Sequence, residues 1–156
     1  MSLYSEIKIS RGSDKPSFKE KVFHQIGALC YRLTDKNVKI LLITSRKSKR
    51  WIIPKGWKLD KMSNRKSVAL EAWEEAGVQG RVSDRSIGTY YYRKRSSKND
   101  FLTCAVKVFA LEVKASKKKF PERGQRKLKW VNPALSIELV AEPELKMVIK
   151  KFAARV

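Results

Sequence analysis

Residues 101–113 constrain the fold more than any other stretch of this chain. At the two-residue period of a strand, Leu102, Cys104, Val106, Val108 and Ala110 share one parity. Phe101, Thr103, Ala105, Phe109 and Leu111 share the other. A strand this apolar on both faces belongs at the centre of a sheet covered from both sides. Residues 38–45 repeat the pattern, with Val38, Ile40 and Leu42 alternating against Leu41 and Ile43. Shorter runs mark strands at 22–33, 51–53, 86–93 and 126–131, with a hairpin expected around the polar residues 95–100. Pro133 and Pro143 open two helices, at positions where a missing N–H costs nothing. In the last helix Leu145, Val148, Ile149 and Phe152 follow i, i+3, i+4, i+7 and make one apolar stripe. The fold class expected is α/β, a mixed sheet flanked by helices.

A chain of 156 residues is one domain by length. A hydrophobic content of 42%, with four Trp, five Tyr and six Phe, argues for a packed core rather than a disordered basic protein. Residues 1–20 are polar and read as an arm ahead of a single domain at 21–156. No apolar run approaches the ~20 residues of a membrane span, and the N-terminus shows no apolar secretory core. Cys30 and Cys104 lack metal-ligand spacing and read as buried thiols in a reducing compartment, expected to be cytoplasmic. His24 is the only histidine and falls on a presumed strand, which sets aside Ser-His-Asp and Cys-His chemistry. Lys and Arg total 36 against 15 acids, a net charge of +21. Such a field draws polyanions: nucleic acid, polyphosphorylated small molecules or anionic membrane surfaces. For the scattered lysines, a solubilising surface is the plain alternative.

Chemistry concentrates between residues 56 and 78. Glu71, Glu74 and Glu75 stand at i, i+3 and i+4, just before Gly77. The spacing predicts a helix at about 63–76, with Ser63 as N-cap and Gly77 at the left-handed C-terminal position. Val68, Ala69, Ala72, Trp73 and Ala76 are expected on the core side and the three glutamates on the other. Like charges at this spacing repel. A hard divalent cation reverses that sign, because Mg²⁺ takes oxygen ligands and shares them with substrate phosphates. An acidic face turned to solvent is the bland explanation of three glutamates alone.

The segment resembles the Nudix box, G-x5-E-x7-R-E-U-x-E-E-x-G-U, where U is bulky and apolar. Gly56, Glu71, Glu74, Glu75, Gly77 and Val78 match in register, with Ala72 at the first U position. Met62 stands where the family has Glu, and Leu70 where it has Arg. Residues 25–29, 41–46 and 51–57 are similar to the strands that enter such a box. Phe120-Pro121-Glu122-Arg123 and Arg126-Lys127-Leu128-Lys129-Trp130 resemble the diphosphoinositol polyphosphate and diadenosine polyphosphate hydrolases. The likeness covers roughly residues 22–153.

That resemblance implies an α/β/α sandwich and a metal-dependent hydrolase that cleaves pyrophosphate bonds. It implies Mg²⁺ or Mn²⁺ held by the Gly56 carbonyl and by Glu71, Glu74 and Glu75. Glu71 and Glu74 are candidate bases, with Glu122 a third on a loop. Arg46, Arg50, Lys55, Lys58 and Arg126 are the candidate substrate cations, Lys55 and Arg46 foremost for their closeness to the box. Substrates of the implied type are nucleoside diphosphates linked to another moiety, dinucleoside polyphosphates and diphosphoinositol polyphosphates. The alternatives are hydrolysis at the 5′ end of RNA, or a catalytically weak module that binds RNA or a phosphorylated ligand. Leu70 favours the weak module, since leucine cannot hold a glutamate as the family's arginine does. The three retained glutamates favour the enzyme.

Overall fold

In the computed structural model the described residues are 22–95 and 100–156. The proposed N-terminal arm and the tip of the 95–100 hairpin lie outside them. Chain order is β1 (Phe23–Thr34), β2 (Asn37–Thr44), β3 (Trp51–Ile52), β4 (Lys55–Trp57), α1 (Asn64–Ala76), β5 (Val78–Val82), β6 (Gly88–Arg95), β7 (Phe101–Ser116), β8 (Leu128–Val131), α2 (Pro133–Leu139) and α3 (Pro143–Arg155).

The strand that is apolar on both parities lies at the centre. Strand order is β3-β2-β1-β7-β5, with β4 added to β1, β6 to β7 and β8 to β2. Only the β1–β7 pairing is parallel, so the sheet is mixed. The two long strands change partners along their length. β1 pairs β4 through residues 25–27 and β2 through residues 31–34. β7 pairs β6 through its first half and β5 through its second.

Side-chain alternation sorts the sheet into two cores. Leu29, Ile40, Leu42, Val106 and Val108 face the side covered by α2 and α3, where Leu145, Val148, Ile149 and Phe152 close the layer as one buried stripe. Ile26, Ala28, Leu41, Ile43, Phe109 and Leu111 face α1, meeting Val68, Ala72 and Ala76. The result is the expected α/β/α sandwich.

Two strands depart from the sequence reading. β4 lies beyond the short strand expected at 51–53 from local pattern, within the 51–57 stretch that resembles the family's strands, and β5 was not foreseen. Val78-Gln79-Gly80-Arg81-Val82 is apolar only at its ends, so its pattern is too sparse to read. It is a strand because β7 runs on past its first partner and offers a free edge. β4 likewise exists because Pro54 and Lys55 are tied to β1, the Pro54 carbonyl accepting the Ala28 N–H at 2.9 Å. That pairing carries Gly56 along the edge of the sheet beneath α1.

Candidate active site

Helix α1 begins where Ser63 Oγ accepts the Lys66 N–H at 3.2 Å. It ends at Gly77, whose φ of 68° lets its N–H reach the Trp73 carbonyl at 3.0 Å. Its buried residues are Ser67, Val68, Ala72, Ala76 and also Glu75. The expected split of core side from acidic side therefore fails at Glu75. Seven residues on from Val68, Glu75 returns to within roughly 20° of it around the helix axis. Glu71 lies on the same flank, while Glu74 is rotated away. Trp73 is half-buried and meets Phe120 edge-on at 6.5 Å between centroids.

The structure brings Glu71, Glu75, Gly56 and Lys55 together. A Cβ on Gly56 would lie 2.2 Å from Glu71 Oε1, so glycine is what allows the carboxylate to reach the β4 backbone. Glu75 Oε1 accepts the Lys55 N–H at 3.2 Å. Glu75 Oε2 lies 3.6 Å from Arg126 Nη2. Burial pushes the Glu75 carboxyl up to about 7, with Arg126 and Lys55 pulling against it and Glu71 adding to it. Glu71 is raised as well, first by burial and then by Glu74, and it sits within hydrogen-bonding reach of Glu75. Lys55 is lowered, by burial first, and its ammonium lies 4.6 Å from the centroid of the Tyr92 ring.

A fourth carboxylate joins from the segment after β7. The Glu122 N–H donates to the Glu74 carbonyl at 2.9 Å, and Glu122 Oε1 accepts from Arg126 Nη2 at 3.1 Å and Nε at 3.2 Å. Glu71, Glu75 and Glu122 thus stand with two cations, Lys55 and Arg126. The site carries a surplus of negative charge that a divalent cation offsets.

Among the described residues no three Asp, Glu, His or Cys side chains stand together as a cage for a metal ion. What is assembled is the Glu71–Glu75 pair beside the Gly56 backbone. Glu74, the remaining glutamate of the expected metal set, is half-buried on α1 and adds its charge to Glu71. The pair still fits Mg²⁺, which commonly takes one or two carboxylates, several waters and substrate phosphates.

The candidate substrate cations separate. Lys55 lies at the glutamates. Arg50 Nη1 is paired with buried Glu142 at 3.1 Å, and Arg46 Nη1 donates to Gln125 Oε1 at 3.3 Å. Lys58 is exposed. Arg126 is turned inward, its side chain 7% exposed and its donors directed at protein acceptors. Gln25 and Lys94, not singled out from sequence, lie with Tyr92 and Trp57 toward the other face of the sheet. Tyr92 donates to Gln25 Oε1 at 2.6 Å, and Lys94 lies 5.4 Å from the centroid of Trp57, which also meets Phe23 edge-on at 6.0 Å. Tyr92 and Lys94 share parity on β6, and that alternation was the available signal.

Fold and site together define an α/β/α protein with a carboxylate-bearing helix packed against a glycine-containing edge strand. No family model matches the chain. It is 32% identical to Nudix hydrolase 16, mitochondrial, of Arabidopsis thaliana over 117 residues, 72% of this chain and 64% of that protein. It is 29% identical to diphosphoinositol polyphosphate phosphohydrolase 2 of Rattus norvegicus over 92 residues, 53% of this chain and 49% of that one. The chain spans under two thirds of the length of these curated relatives. Among solved structures, a C. elegans Ap4A hydrolase binary complex superposes with a TM-score of 0.62 at 18% identity, covering 85% of this chain and 96% of that one. That likeness establishes the fold. The box, the relatives and the fold agree: the chain belongs to the Nudix hydrolase family.

Proposed function

We propose that this protein hydrolyses a pyrophosphate bond in a polyphosphorylated substrate, with Mg²⁺ or Mn²⁺ as cofactor. The observation that carries the reading is the Glu71–Glu75 pair pressed against Gly56, with Lys55 beside it. Two carboxyls held this close, one buried and one half-buried, cost free energy in a protein that does not use them. Phosphoryl chemistry needs positioning and charge neutralisation rather than a covalent intermediate. A bound Mg²⁺ supplies Lewis-acid neutralisation of the phosphate oxygens.

The chain's own groups do the rest. Glu71 and Glu75, with the Gly56 carbonyl, hold the cation; Glu74 supports them through its charge. A glutamate of α1 takes the proton of the attacking water, Glu71 and Glu74 being the candidates. The Lys55 ammonium lies against the Tyr92 ring and meets a phosphate oxygen. Lys94, beside Trp57, receives the distal part of the substrate. Arg46, Arg50 and Lys58 form an outer cationic approach. The substrates that fit are dinucleoside polyphosphates, diphosphoinositol polyphosphates and nucleoside diphosphates linked to another moiety. Two buried, unpaired thiols, Cys30 and Cys104, suit the reducing cytoplasm.

A second reading draws on the β6–β7 edge, where Arg93 and Arg95 lie 4.2 and 5.8 Å from the Phe101 ring. This cation–aromatic layer lies on the opposite parity of β6 from Lys94 and suits a single-stranded polyanion, such as the 5′ end of RNA.

The test is product release from diadenosine polyphosphates, diphosphoinositol polyphosphates, ADP-ribose, nucleoside triphosphates and 5′-triphosphorylated RNA, with Mg²⁺ or Mn²⁺ and then with chelator. Turnover is expected to need the metal and to collapse in Glu75→Gln. A folded protein that cleaves none of them overturns the hydrolase reading and leaves a binding module.

A further inference from the structure

Arg126 is the buried cation that touches two acidic groups from different elements. Its Nη2 lies 3.6 Å from Glu75 Oε2 on α1, and its Nε and Nη2 donate to Glu122 Oε1 at 3.2 and 3.1 Å. Its Nη1 donates to the Thr44 carbonyl at the end of β2, at 3.1 Å. One guanidinium therefore spans a helix, a loop and a strand. Its planar fork suits that work, and a lysine's single ammonium does not reproduce it.

The loop that carries Arg126 is fastened along its length. The Lys117 N–H donates to the Gly77 carbonyl at 2.8 Å, and the Glu122 N–H to the Glu74 carbonyl at 2.9 Å. The Phe120 ring fills the space a Cβ on Gly77 would take. At the far end Thr44 and Lys127 exchange two bonds, the Thr44 N–H to the Lys127 carbonyl at 3.0 Å and the Lys127 N–H to Thr44 Oγ1 at 2.9 Å. Residues 117–127 thus form a strap over the C-terminal half of α1, and Arg126 is its inward contact.

Within α1, position 70 is leucine and donates nothing to the glutamates. The donors on Glu75 come from outside the helix: the Lys55 N–H on Oε1 and Arg126 facing Oε2. Lys55 reaches Glu75 Oε1 through its backbone, and the Arg126 guanidinium is the cation paired with Oε2, at 3.6 Å. We propose that Arg126 is the positioning residue of this site, holding Glu75 toward Glu71 and Gly56 while fixing Glu122 beside them. This rests on the hydrolase reading for its catalytic consequence, but not for its effect on metal binding.

The test compares wild type with Arg126→Gln, Arg126→Lys and Glu122→Gln, with Lys150→Gln on the exposed face of α3 as a charge-matched control. Mn²⁺ affinity is read by electron paramagnetic resonance, folding by circular dichroism and Tm, and kcat and KM on the best substrate. Positioning predicts Mn²⁺ affinity and kcat each weaker by about 10–100-fold in both Arg126 variants, with KM nearly unchanged. Glu122→Gln is expected to show the same signature more weakly, and Lys150→Gln none. Removing a cation beside an anionic site would by charge alone tighten Mn²⁺ binding. Tighter or unchanged Mn²⁺ binding in folded Arg126→Gln, or a raised KM with kcat intact, overturns the proposal. A lower Tm with unchanged Mn²⁺ affinity does too, leaving Arg126 a structural tie. Failure of wild type to turn over any substrate would remove the hydrolase reading, while the Mn²⁺ comparison would still decide the positioning claim.

Discussion

At the scale of single residues, Gly56 and Glu71 depend on each other. The glycine is not required by a left-handed backbone, since its φ is not positive. It is required because a Cβ would stand 2.2 Å from the Glu71 carboxylate. The obstructed atom is the far end of a flexible side chain, so the fold has a cheap way to yield and the site does not. Gly56→Ala is expected to keep its Tm within a few degrees and to lose about 10–100-fold in kcat, measured by thermal melts and steady-state kinetics on the same preparation. Sequence identified both residues through their register in the box. It did not identify Glu122 or Arg126 in their present roles, because their partners lie elsewhere: Glu74 is 48 positions before Glu122, and Thr44 is 82 before Arg126.

At the scale of elements, α1 is pinned at its end rather than by its composition. Gly77 holds φ 68°, and the Phe120 ring rests where a side chain would be. Gly77→Ala is expected to cost at least about 1–2 kcal/mol from the left-handed backbone alone. Displacement of Phe120 adds to that, seen as a lower urea midpoint at constant m. Since Phe120 belongs to the strap, this change should also weaken Mn²⁺ binding, although Gly77 touches no carboxylate. The C-terminal helix shows the opposite case. Its stripe of Leu145, Val148, Ile149 and Phe152 was readable at the 3.6-residue period and is buried as read. β5 was not readable and β4 was indicated by resemblance rather than by its own pattern, because each is a strand by virtue of an edge that β1 or β7 offers it.

At the scale of the whole molecule, a charge of +21 surrounds a site that is locally acidic. Under the proposed function, the outer field steers a polyanion inward and the inner carboxylates receive it with its cation. Raising salt from roughly 0.05 to 0.5 M is expected to lower kcat/KM for polyphosphate substrates by about 10-fold or more, through KM, with kcat little changed. Initial-rate series at several salt concentrations check this. A match in kcat/KM across that range would mean that the surface cations serve solubility alone. By itself the sequence determined the α/β class, the strand that is apolar on both faces, the helix with its cap and stop, and the box glutamates. Each of these is written in local periodicity or fixed spacing. Only the tertiary structure decided that Glu75 is buried while Glu71 and Glu74 are half-buried. The same holds for the Lys55 ammonium against Tyr92, for Lys94 beside Trp57, and for Arg126 pointing inward at the glutamates. Those outcomes follow from which edges pair and where a loop crosses a helix, and contacts between distant segments leave no periodic trace in one chain.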